Sequence, residues 1–301
     1  MEALVDEIGE GVSISFGGFA HSLTPMAVVR EIVRRRIGRL TLIGIAEAWA
    51  ADMLAGAGLI ERMVFSNFMF EGFGLCRNFS RGIESGAFAI EDYSHFALAA
   101  RMSAAGLGLP FAAVRSVLGS DMLEDETGGS RVTHEVFSSP FGDECVVLFP
   151  PAAPDIVVVH GQVGDTNGNV HILGATAVIE EQVRAGKKVL ATVEEIVEPV
   201  ELARRAADMV VPGLLVHKIA AVPYGAHPTG MYRLYDADYE HIREYVAASR
   251  DPEQFSDYLA GVTERGQAEY VRNLGVQRLL TLRPDPAYGY HLDRKGDQWT
   301  A

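Results

Sequence analysis

Two glycines and a histidine follow the first apolar run of this chain, and they form the first candidate binding element. Gly17, Gly18, Phe19 and His21 come directly after the run from Val12 to Phe16. Because a glycine has no Cβ, the backbone here can approach a ligand or the next helix closely. The glycines are adjacent, so they do not match the G-x-G-x-x-G spacing of a dinucleotide-binding turn. A tight strand-to-helix turn and a ligand contact both remain open.

A second candidate element is the stretch FSNFMFEGFGLCRNF, which includes Ser66, Asn67, Glu71 and Gly72. It follows another apolar run, and ligands of parallel sheets bind outside the carboxyl ends of the strands. An apolar setting would make the Glu71 carboxyl a candidate general acid or base. The alternative is a surface glutamate in a turn.

The third candidate element is EDYSHFALAARM, where Ser94 and His95 stand at the start of a predicted helix. A nucleophilic serine needs a strained turn and a separate base, and this stretch has the pattern of neither. We therefore expect Ser94 to cap the helix and His95 to lie in a pocket.

These elements should meet, because parallel strands deliver the loops that follow them to one edge of the sheet. We expect Ser66, Asn67 and Glu71 to face the same cleft as His95. The apolar wall of this cleft would come from large side chains nearby, namely Met69, Phe70 and Phe73. In the alternative interpretation these aromatic residues are core and the polar groups are caps.

Other residues with chemical potential do not form a recognisable pattern. Four histidines are scattered singly at predicted strand ends and loops: His160, His171, His217 and His227. None has the i, i+4 partner of a helical metal site, so the sequence predicts no metal. Glu194 and Glu195 are neighbours at the end of a predicted strand, where carboxylates are usually solvated or paired with arginine.

Composition limits the class of partner. The chain has 301 residues with 40 acidic and 26 basic side chains, a net charge of −14. So acidic a surface repels phosphate backbones and anionic lipid, which argues against nucleic acid and membranes as main partners. Cys76 and Cys145 are the only cysteines, and no secretory signal or bilayer-spanning run is readable. A cytoplasmic setting is expected.

Strands and helices alternate along most of the chain. After the strand from Val12 to Phe16, Thr24 is predicted as the N-cap of a helix with Pro25 at its first position. Gly38 is predicted to end that helix before the strand LTLIGI. This βαβ unit predicts two parallel strands.

The later segments extend the same pattern. RMVFSNF, DIVVVHG and KKVLATV are predicted strands, with a turn of Asp165 to Asn169 and a helix ended by Gly186 between the last two. From about residue 236 to 301 the chain becomes polar and helical, with Tyr245, Phe255 and Tyr258 as aromatic anchors. We interpret residues 1–301 as a single domain with these helices packed over the sheet.

Six motifs in order carry a family resemblance: GGFAH, VFSNF, EDYSHFALAARMSAAGLGLPF, RSVLGSD, VVVHGQVGDTNGNV and VLATVEEIV. This ordered set resembles the α subunits of family I CoA-transferases, and within that family the A subunits of glutaconate CoA-transferases. The resemblance extends from about Gly11 to Pro228. It implies an open α/β fold of the CoA-transferase and NagB/RpiA-like type, with a mainly parallel sheet flanked by helices and with C-terminal helices.

The resemblance also implies a mechanism shared with a β subunit. The nucleophile, which the β subunit contributes, is a glutamate carboxylate that attacks an acyl-CoA thioester. A glutamyl-CoA intermediate then passes CoA to a carboxylate acceptor. The implied assembly is α2β2 or larger, with coenzyme A as substrate, no permanently bound cofactor and no catalytic residue in this chain. The substrate-binding residues expected here are Gly17, Gly18, Phe19, His21, Ser66, Asn67, Glu71, Gly72, Ser94 and His95.

Two departures from the family pattern bear on function. Many relatives have SYVG where this chain has SNFM, with Asn67 and Met69 in place of Tyr and Gly, which leaves the acyl group open. The alternative activity within the resemblance is that of a subunit of a related ring-cleaving acyl-CoA hydrolase. Those hydrolases carry a catalytic glutamate near EDYSHF, where this chain has Ser94 and His95, and this disfavours hydrolysis. The same fold also serves sugar-phosphate isomerases and ligand-sensing modules, so a non-enzymatic sensor is the alternative of another class.

Overall fold

The computed structural model describes residues 1–123 and 132–290, which form a nine-stranded sheet and a smaller three-stranded sheet. The strands are β1 (Ser13–Phe16), β2 (Leu40–Ile45), β3 (Ile60–Ser66), β4 (Ala89–Asp92), β5 (Ala112–Val114), β6 (Glu135–Ser138), β7 (Cys145–Phe149), β8 (Ile156–Asp165), β9 (Val170–Ile172), β10 (Lys188–Val197), β11 (Met209–Val211) and β12 (Val216–Ala221). The helices are α1 (Glu2–Val5), α2 (Met26–Arg35), α3 (Ala48–Gly56), α4 (Arg77–Glu84), α5 (His95–Gly106), α6 (Ile179–Ala185), α7 (Pro199–Leu202), α8 (Tyr239–Ala248), α9 (Pro252–Thr263) and α10 (Gly266–Thr281).

The large sheet is mainly parallel, as the sequence predicts. Its parallel strands lie in the order β12–β10–β8–β1–β2–β3–β4. The exceptions are β9, which is antiparallel to β8, and β11, which is antiparallel to β9. The loops that follow β1, β2, β3 and β4 therefore emerge side by side at one edge.

Helices cover both faces of the sheet, because successive side chains of a strand point to opposite faces. Ile14 and Phe16 belong to the core formed with α2, α3 and the C-terminal helices. On the other face, Val157 and Val159 pack with α6, and Val64 packs with α5. This two-sided burial explains why the strands read as unbroken apolar runs.

The first βαβ unit forms as predicted, but its helix has different ends. β1 and β2 are parallel. The N-cap is Pro25 and not Thr24, whose side chain instead donates to Glu47. The helix ends at Arg35, and its C-cap is Arg36 in the left-handed conformation with φ 57°, two residues before the predicted Gly38. A hydrogen bond to a distant carboxylate thus overrides the local capping preference of Thr24.

The turn between β8 and β9 is confirmed, and one carboxylate organises it. Asp165 Oδ1 accepts from the N–H groups of Asn167 and Asn169, each at 2.9 Å. Its Oδ2 accepts from the Asn169 side chain at 2.8 Å. The predicted helix before Gly186 is also present as α6.

The three-stranded sheet and the helices α3 and α4 were not predicted. β7 pairs antiparallel with β5 and β6, and β6 is exposed along its length. The strands of this small sheet have three to five residues. So short a strand shows no clear alternation of apolar and polar side chains, which is why the sequence did not predict the sheet.

The C-terminal helices pack on the sheet through the predicted aromatic anchors. Tyr245 and Phe255 are fully buried members of the main core, and Tyr258 packs against it. The predicted polar tail after Arg283 is described only as far as residue 290. Within the two described ranges, no helix combines the length and hydropathy needed to cross a membrane.

Candidate functional site

The loops after four neighbouring strands are joined by backbone hydrogen bonds. The Ala20 N–H donates to the Ala46 carbonyl at 3.2 Å, and the Ala46 N–H donates to the Ser66 carbonyl at 3.2 Å. The Tyr93 N–H donates to the Phe65 carbonyl at 2.9 Å. These bonds continue the sheet ladder into the loops, so residues 17–23, 46–47, 66–73 and 93–95 form one surface. We call this surface the carboxyl-edge site.

Unusual backbone conformations are concentrated in this site. Non-glycine residues with positive φ occur after β1, β2 and β3: Ala20 (50°), Leu23 (65°), Ala46 (52°), Asn67 (51°) and Glu71 (46°). Each such residue costs about 1–3 kcal/mol of backbone strain. Strain of this kind persists at ligand-binding and catalytic sites, where the surrounding structure imposes it. The conformation therefore marks this edge as a candidate functional site.

Ser66 and His95 lie together at the centre of the site. Ser66 ends β3 and is fully buried, whereas His95 begins α5 and is exposed. Ser66 Oγ lies 3.0 Å from His95 Nδ1. Ser94 caps α5 as predicted, because its Oγ accepts from the Ala97 N–H at 3.1 Å. The hydroxyl of Ser66 fixes the His95 ring so that Nε2 is available to a ligand.

The loop after β3 presents polar groups outward. Asn67, Glu71 and Gly72 are exposed. Glu71 is thus not enclosed in an apolar setting, and its predicted role as an acid or base has no support from burial. Phe70 is fully buried against Trp49, with ring centroids 4.7 Å apart, so it belongs to the core and not to a cleft wall. Phe73 is half-buried.

The glycines after β1 are required by the protein's own turn. Gly18 has φ +131°, and a Cβ built on it would lie 2.5 Å from Thr24 Oγ1 and 3.0 Å from the Thr24 backbone. A Cβ on Gly17 would contact Val159 and Ile179 side chains at 3.3–3.5 Å. The close approach suggested by the sequence is therefore made by the segment before α2. Phe19, next in the chain, is 38% exposed at the site.

His21 is held in one neutral form. The indole N–H of Trp49 donates to His21 Nδ1 at 3.2 Å, so the ring proton is on Nε2. Phe73 and Tyr239 pack edge-on against the ring, and burial lowers the pKa of His21 to about 4. His21 therefore stays uncharged near neutral pH.

Glu47 is a residue of this edge that the sequence reasoning missed. It caps α3, with Oε1 accepting from the Trp49 N–H at 2.9 Å and from Thr24 Oγ1 at 3.1 Å. Burial raises the pKa of Glu47 to about 7. Its position directly before a helix is the feature of the sequence that could have identified Glu47 as a helix cap. Glu47 connects the loop after β1 with the loop after β2.

A second polar network lies farther along the edge, between β8 and β10. Glu194 accepts from His160 Nε2 at 2.8 Å, from Tyr235 Oη at 2.6 Å and from the N–H groups of Tyr224 and Gly225. Burial opposes the charge of Glu194, but the hydrogen bonds from His160 and Tyr235 outweigh it and lower its pKa. Contrary to the expectation, Glu194 is neither solvated nor paired with arginine.

Its neighbour Glu195 behaves as predicted. Arg205 Nη1 donates to Glu195 Oε2 at 2.9 Å. The difference between the two carboxylates follows from strand alternation, which turns Glu194 inward and Glu195 outward.

One buried group has the composition of a metal site, formed by His227, Asp238 and His241. One ring nitrogen of each histidine faces a tyrosine hydroxyl, with His227 Nδ1 2.7 Å from Tyr270 Oη and His241 Nε2 2.8 Å from Tyr258 Oη. His227 Nε2 lies 3.0 Å from Asp238 Oδ2. Arg278 donates to both oxygens of Asp238, each at 2.7 Å. A guanidinium on the carboxylate disfavours a cation there, so we interpret this group as a structural network that attaches α10 to α8.

Comparison with known proteins gives a consistent result over nearly the whole chain. The coenzyme A transferase family model matches residues 1–221. The A subunit of glutaconate CoA-transferase from Acidaminococcus fermentans is 32% identical over 307 residues, covering 97% of this chain and 96% of that protein. The A subunit of 3-oxoadipate CoA-transferase from Pseudomonas knackmussii is 30% identical over 263 residues, covering 86% and 90%.

The fold agrees as well. The crystal structure of glutaconate coenzyme A-transferase from Acidaminococcus fermentans superimposes with a TM-score of 0.90 at 30% identity, covering 97% of this chain and 96% of that one.

Proposed function

The chain belongs to the coenzyme A transferase family, and we propose that its carboxyl-edge site is one half of an active site completed by a β-type subunit. The A subunits of a glutaconate and a 3-oxoadipate CoA-transferase match 97% and 86% of this chain. The observation that carries the proposal is the set of joined loops around Ser66 and His95. It combines exposed polar groups with imposed backbone strain at the edge where parallel sheets bind ligands.

The nucleophile is proposed to come from the partner. Glu47 is fully buried behind three donors, so its carboxylate cannot reach a thioester. Glu71 is exposed, and among the described residues no hydrogen bond orients its carboxylate. A carboxylate on the β-type subunit would attack the thioester carbonyl carbon and release CoA as the thiolate, which leaves a mixed anhydride. The thiolate then attacks the enzyme acyl carbon, which frees the donor acid and leaves a glutamyl-CoA thioester.

The acceptor completes the exchange by the same steps in reverse. Its carboxylate attacks the glutamyl-CoA thioester, and the returning thiolate forms the new acyl-CoA while the glutamate is restored. A carboxylate nucleophile suits this reaction because the thioester energy is retained at each step and is not lost to water.

This chain would bind and orient the acyl group. Nε2 of His95 and the amide of Asn67 can donate to a carboxylate, and both side chains are exposed. The names of the relatives refer to dicarboxylic acids, glutaconate and 3-oxoadipate. We therefore propose an acyl group with a second carboxylate, which these donors would hold. The full set of proposed substrate-binding residues is Gly17, Gly18, Phe19, His21, Ser66, Asn67, Glu71, Gly72, Ser94 and His95.

The division of labour between the two chains can be tested with the purified protein. Alone, this chain should show no CoA transfer from a dicarboxylyl-CoA to acetate, and addition of the β-type subunit should restore transfer. A glutamyl-CoA adduct trapped by borohydride should appear on the β-type subunit. Robust turnover by this chain alone, with the adduct on one of its own glutamates, would contradict the proposal. The mass of the complex tests the expected α2β2 stoichiometry.

The binding role of the site can be tested by substitution. In the complex, Asn67→Ala and His95→Ala should raise KM more for a dicarboxylyl-CoA than for acetyl-CoA, since only the former has a carboxylate to hold. Asn273→Ala and His217→Ala, at exposed positions outside the site, are matched controls. Equal kcat/KM for all variants and both substrates would refute the assignment.

A further inference from the structure

Glu194 lies outside the carboxyl-edge site, and no step of the proposed reaction uses it. Its side chain is only 11% exposed and accepts four hydrogen bonds. We propose that Glu194 is a positioning residue, which holds a loop that in turn fixes Phe19 and His21 at the carboxyl-edge site. This inference rests on the proposed function, because it takes Phe19 and His21 as substrate-binding residues.

Glu194 fastens both ends of one loop, residues 224–235, which we call the brace loop. At its first end, Glu194 Oε2 accepts from the Tyr224 N–H at 2.6 Å, and Oε1 accepts from the Gly225 N–H at 3.1 Å. At its last end, the Tyr235 hydroxyl donates to Glu194 Oε1 at 2.6 Å. A single carboxylate at the end of β10 therefore determines where the brace loop begins and where it ends.

The first end of the brace loop has a conformation that its neighbours impose. Tyr224 has φ 54°, which is strained for a residue with a Cβ. Gly225 lies directly against His160, because a Cβ built on Gly225 would be 2.5 Å from His160 Cε1. His160 Nε2 in turn lies 2.8 Å from Glu194 Oε1. Strained backbone persists only where surrounding contacts impose it, and here Glu194 makes those contacts.

The middle of the brace loop holds the segment that follows β1. The Gly230 N–H donates to the His21 carbonyl at 2.8 Å, and the Leu23 N–H donates to the Gly230 carbonyl at 3.0 Å. Between His21 and Leu23, Ser22 is bonded to Phe19, with each N–H donating to the other residue's carbonyl at 3.0 Å. The positions of Phe19 and His21 therefore depend on where the brace loop places Gly230.

The chemistry of a carboxylate explains why glutamine cannot replace Glu194 in this role. Hydrogen bonds to an ionised carboxylate are roughly twice as strong as those to a neutral acceptor. A glutamine has an amide NH2 in place of one oxygen, and this group donates but does not accept, so at least one of the four donors would face another donor. The brace loop would then shift. A misplacement of about 1 Å caused by a distant mutation can cost about 100-fold in rate.

Kinetics of the complex with the β-type subunit test this inference with two neighbouring glutamates. Glu194→Gln should lower kcat/KM for a dicarboxylyl-CoA by roughly 10- to 100-fold. Tyr235→Phe removes one of the four donors and should lower it by a smaller factor. Glu195→Gln is the matched control and should keep the wild-type value, since this carboxylate is exposed and pairs with Arg205. All variants are assayed at a temperature at which circular dichroism shows them to be folded.

Tryptophan fluorescence shows whether the segment after β1 moves, independently of activity. Trp49 is fully buried, and its indole N–H donates to His21. The chain has one other tryptophan, Trp299, so Trp299→Phe leaves Trp49 as the only emitter. In that background, Glu194→Gln should shift the emission of the folded protein toward that of His21→Ala, in which Trp49 has lost its acceptor. Glu195→Gln should leave the emission unchanged.

A purely structural role for Glu194 would lower stability but leave both readouts of the folded protein unchanged. If folded Glu194→Gln keeps either the wild-type kcat/KM or the wild-type emission, the inference is wrong, and the proposed function stands as long as the wild-type complex transfers CoA. If Glu194→Gln does not fold, Tyr235→Phe decides by the same two measurements. If the wild-type complex transfers no CoA, the proposed function fails and the inference fails with it.

Discussion

Substitution of Gly18 by alanine should destabilise the protein strongly, for two separable reasons. The residue has φ +131°, a conformation that residues with a Cβ rarely adopt. The new methyl group would also lie 2.5 Å from Thr24 Oγ1 and 3.0 Å from the Thr24 N and Cα atoms. The Thr24 backbone cannot move away easily, because its carbonyl accepts from the Met26 N–H and its hydroxyl is bonded to Glu47.

The magnitude follows from adding these terms. Backbone strain at such a φ costs about 1–3 kcal/mol. Forcing a methyl group into a filled space costs about another 1–3 kcal/mol. We therefore expect Gly18→Ala to lower the free energy of unfolding by roughly 2–6 kcal/mol, a large share of the about 5–15 kcal/mol of a typical domain.

Urea unfolding of the purified chain, followed by circular dichroism, measures this loss against two controls. Gly58 has φ +69° with no atom within 4 Å of a built Cβ, so Gly58→Ala reports strain alone and should cost about 1 kcal/mol. A Cβ on Gly17 meets only side chains that can adjust, and Gly17→Ala should cost less than Gly18→Ala. If Gly18→Ala were no worse than Gly58→Ala, the steric argument at Thr24 would be refuted.

Three further predictions concern buried carboxylates. Asp52→Ala should lower the free energy of unfolding by about 3 kcal/mol, because it leaves the Tyr245 hydroxyl and two further donors unpaired. Tyr245→Phe should lower it by only about 1 kcal/mol, and equal losses in urea unfolding would contradict this. For Glu47, the folded pKa of about 7 exceeds the ordinary 4.5, so its stabilising effect is present at low pH and is lost as pH rises from 4.5 to 7. The unfolding free energy of wild type relative to Glu47→Gln should thus fall by about 3 kcal/mol between pH 4.5 and 8, and a constant difference would refute the assignment. Asp165→Ala should lower the free energy of unfolding by about 2–3 kcal/mol in the same assay, because the turn loses three hydrogen bonds. A loss below about 0.5 kcal/mol would show that the turn forms without them.

The sequence by itself determined the features that depend on near neighbours along the chain. The apolar runs predicted strands buried on both faces, and the βαβ spacing predicted that β1 and β2 are parallel. Ser94 was identified as a helix cap, and the turn of Asp165 to Asn169 was identified from its residue types. Each of these depends on contacts within a few residues, where propensity and periodicity are informative.

Only the tertiary structure decided which distant groups meet. Ser66 and His95 are 29 residues apart, and their 3.0 Å contact depends on the register between β3 and β4. Thr24 was predicted as a helix cap, but it bonds to Glu47 across the gap between two loops. Glu194 was expected to be solvated or paired with arginine, but it is enclosed by His160 and by Tyr235, 41 residues farther along the chain. Side-chain contacts of this kind are set by sheet order, register and twist, which bring together residues that no local pattern connects.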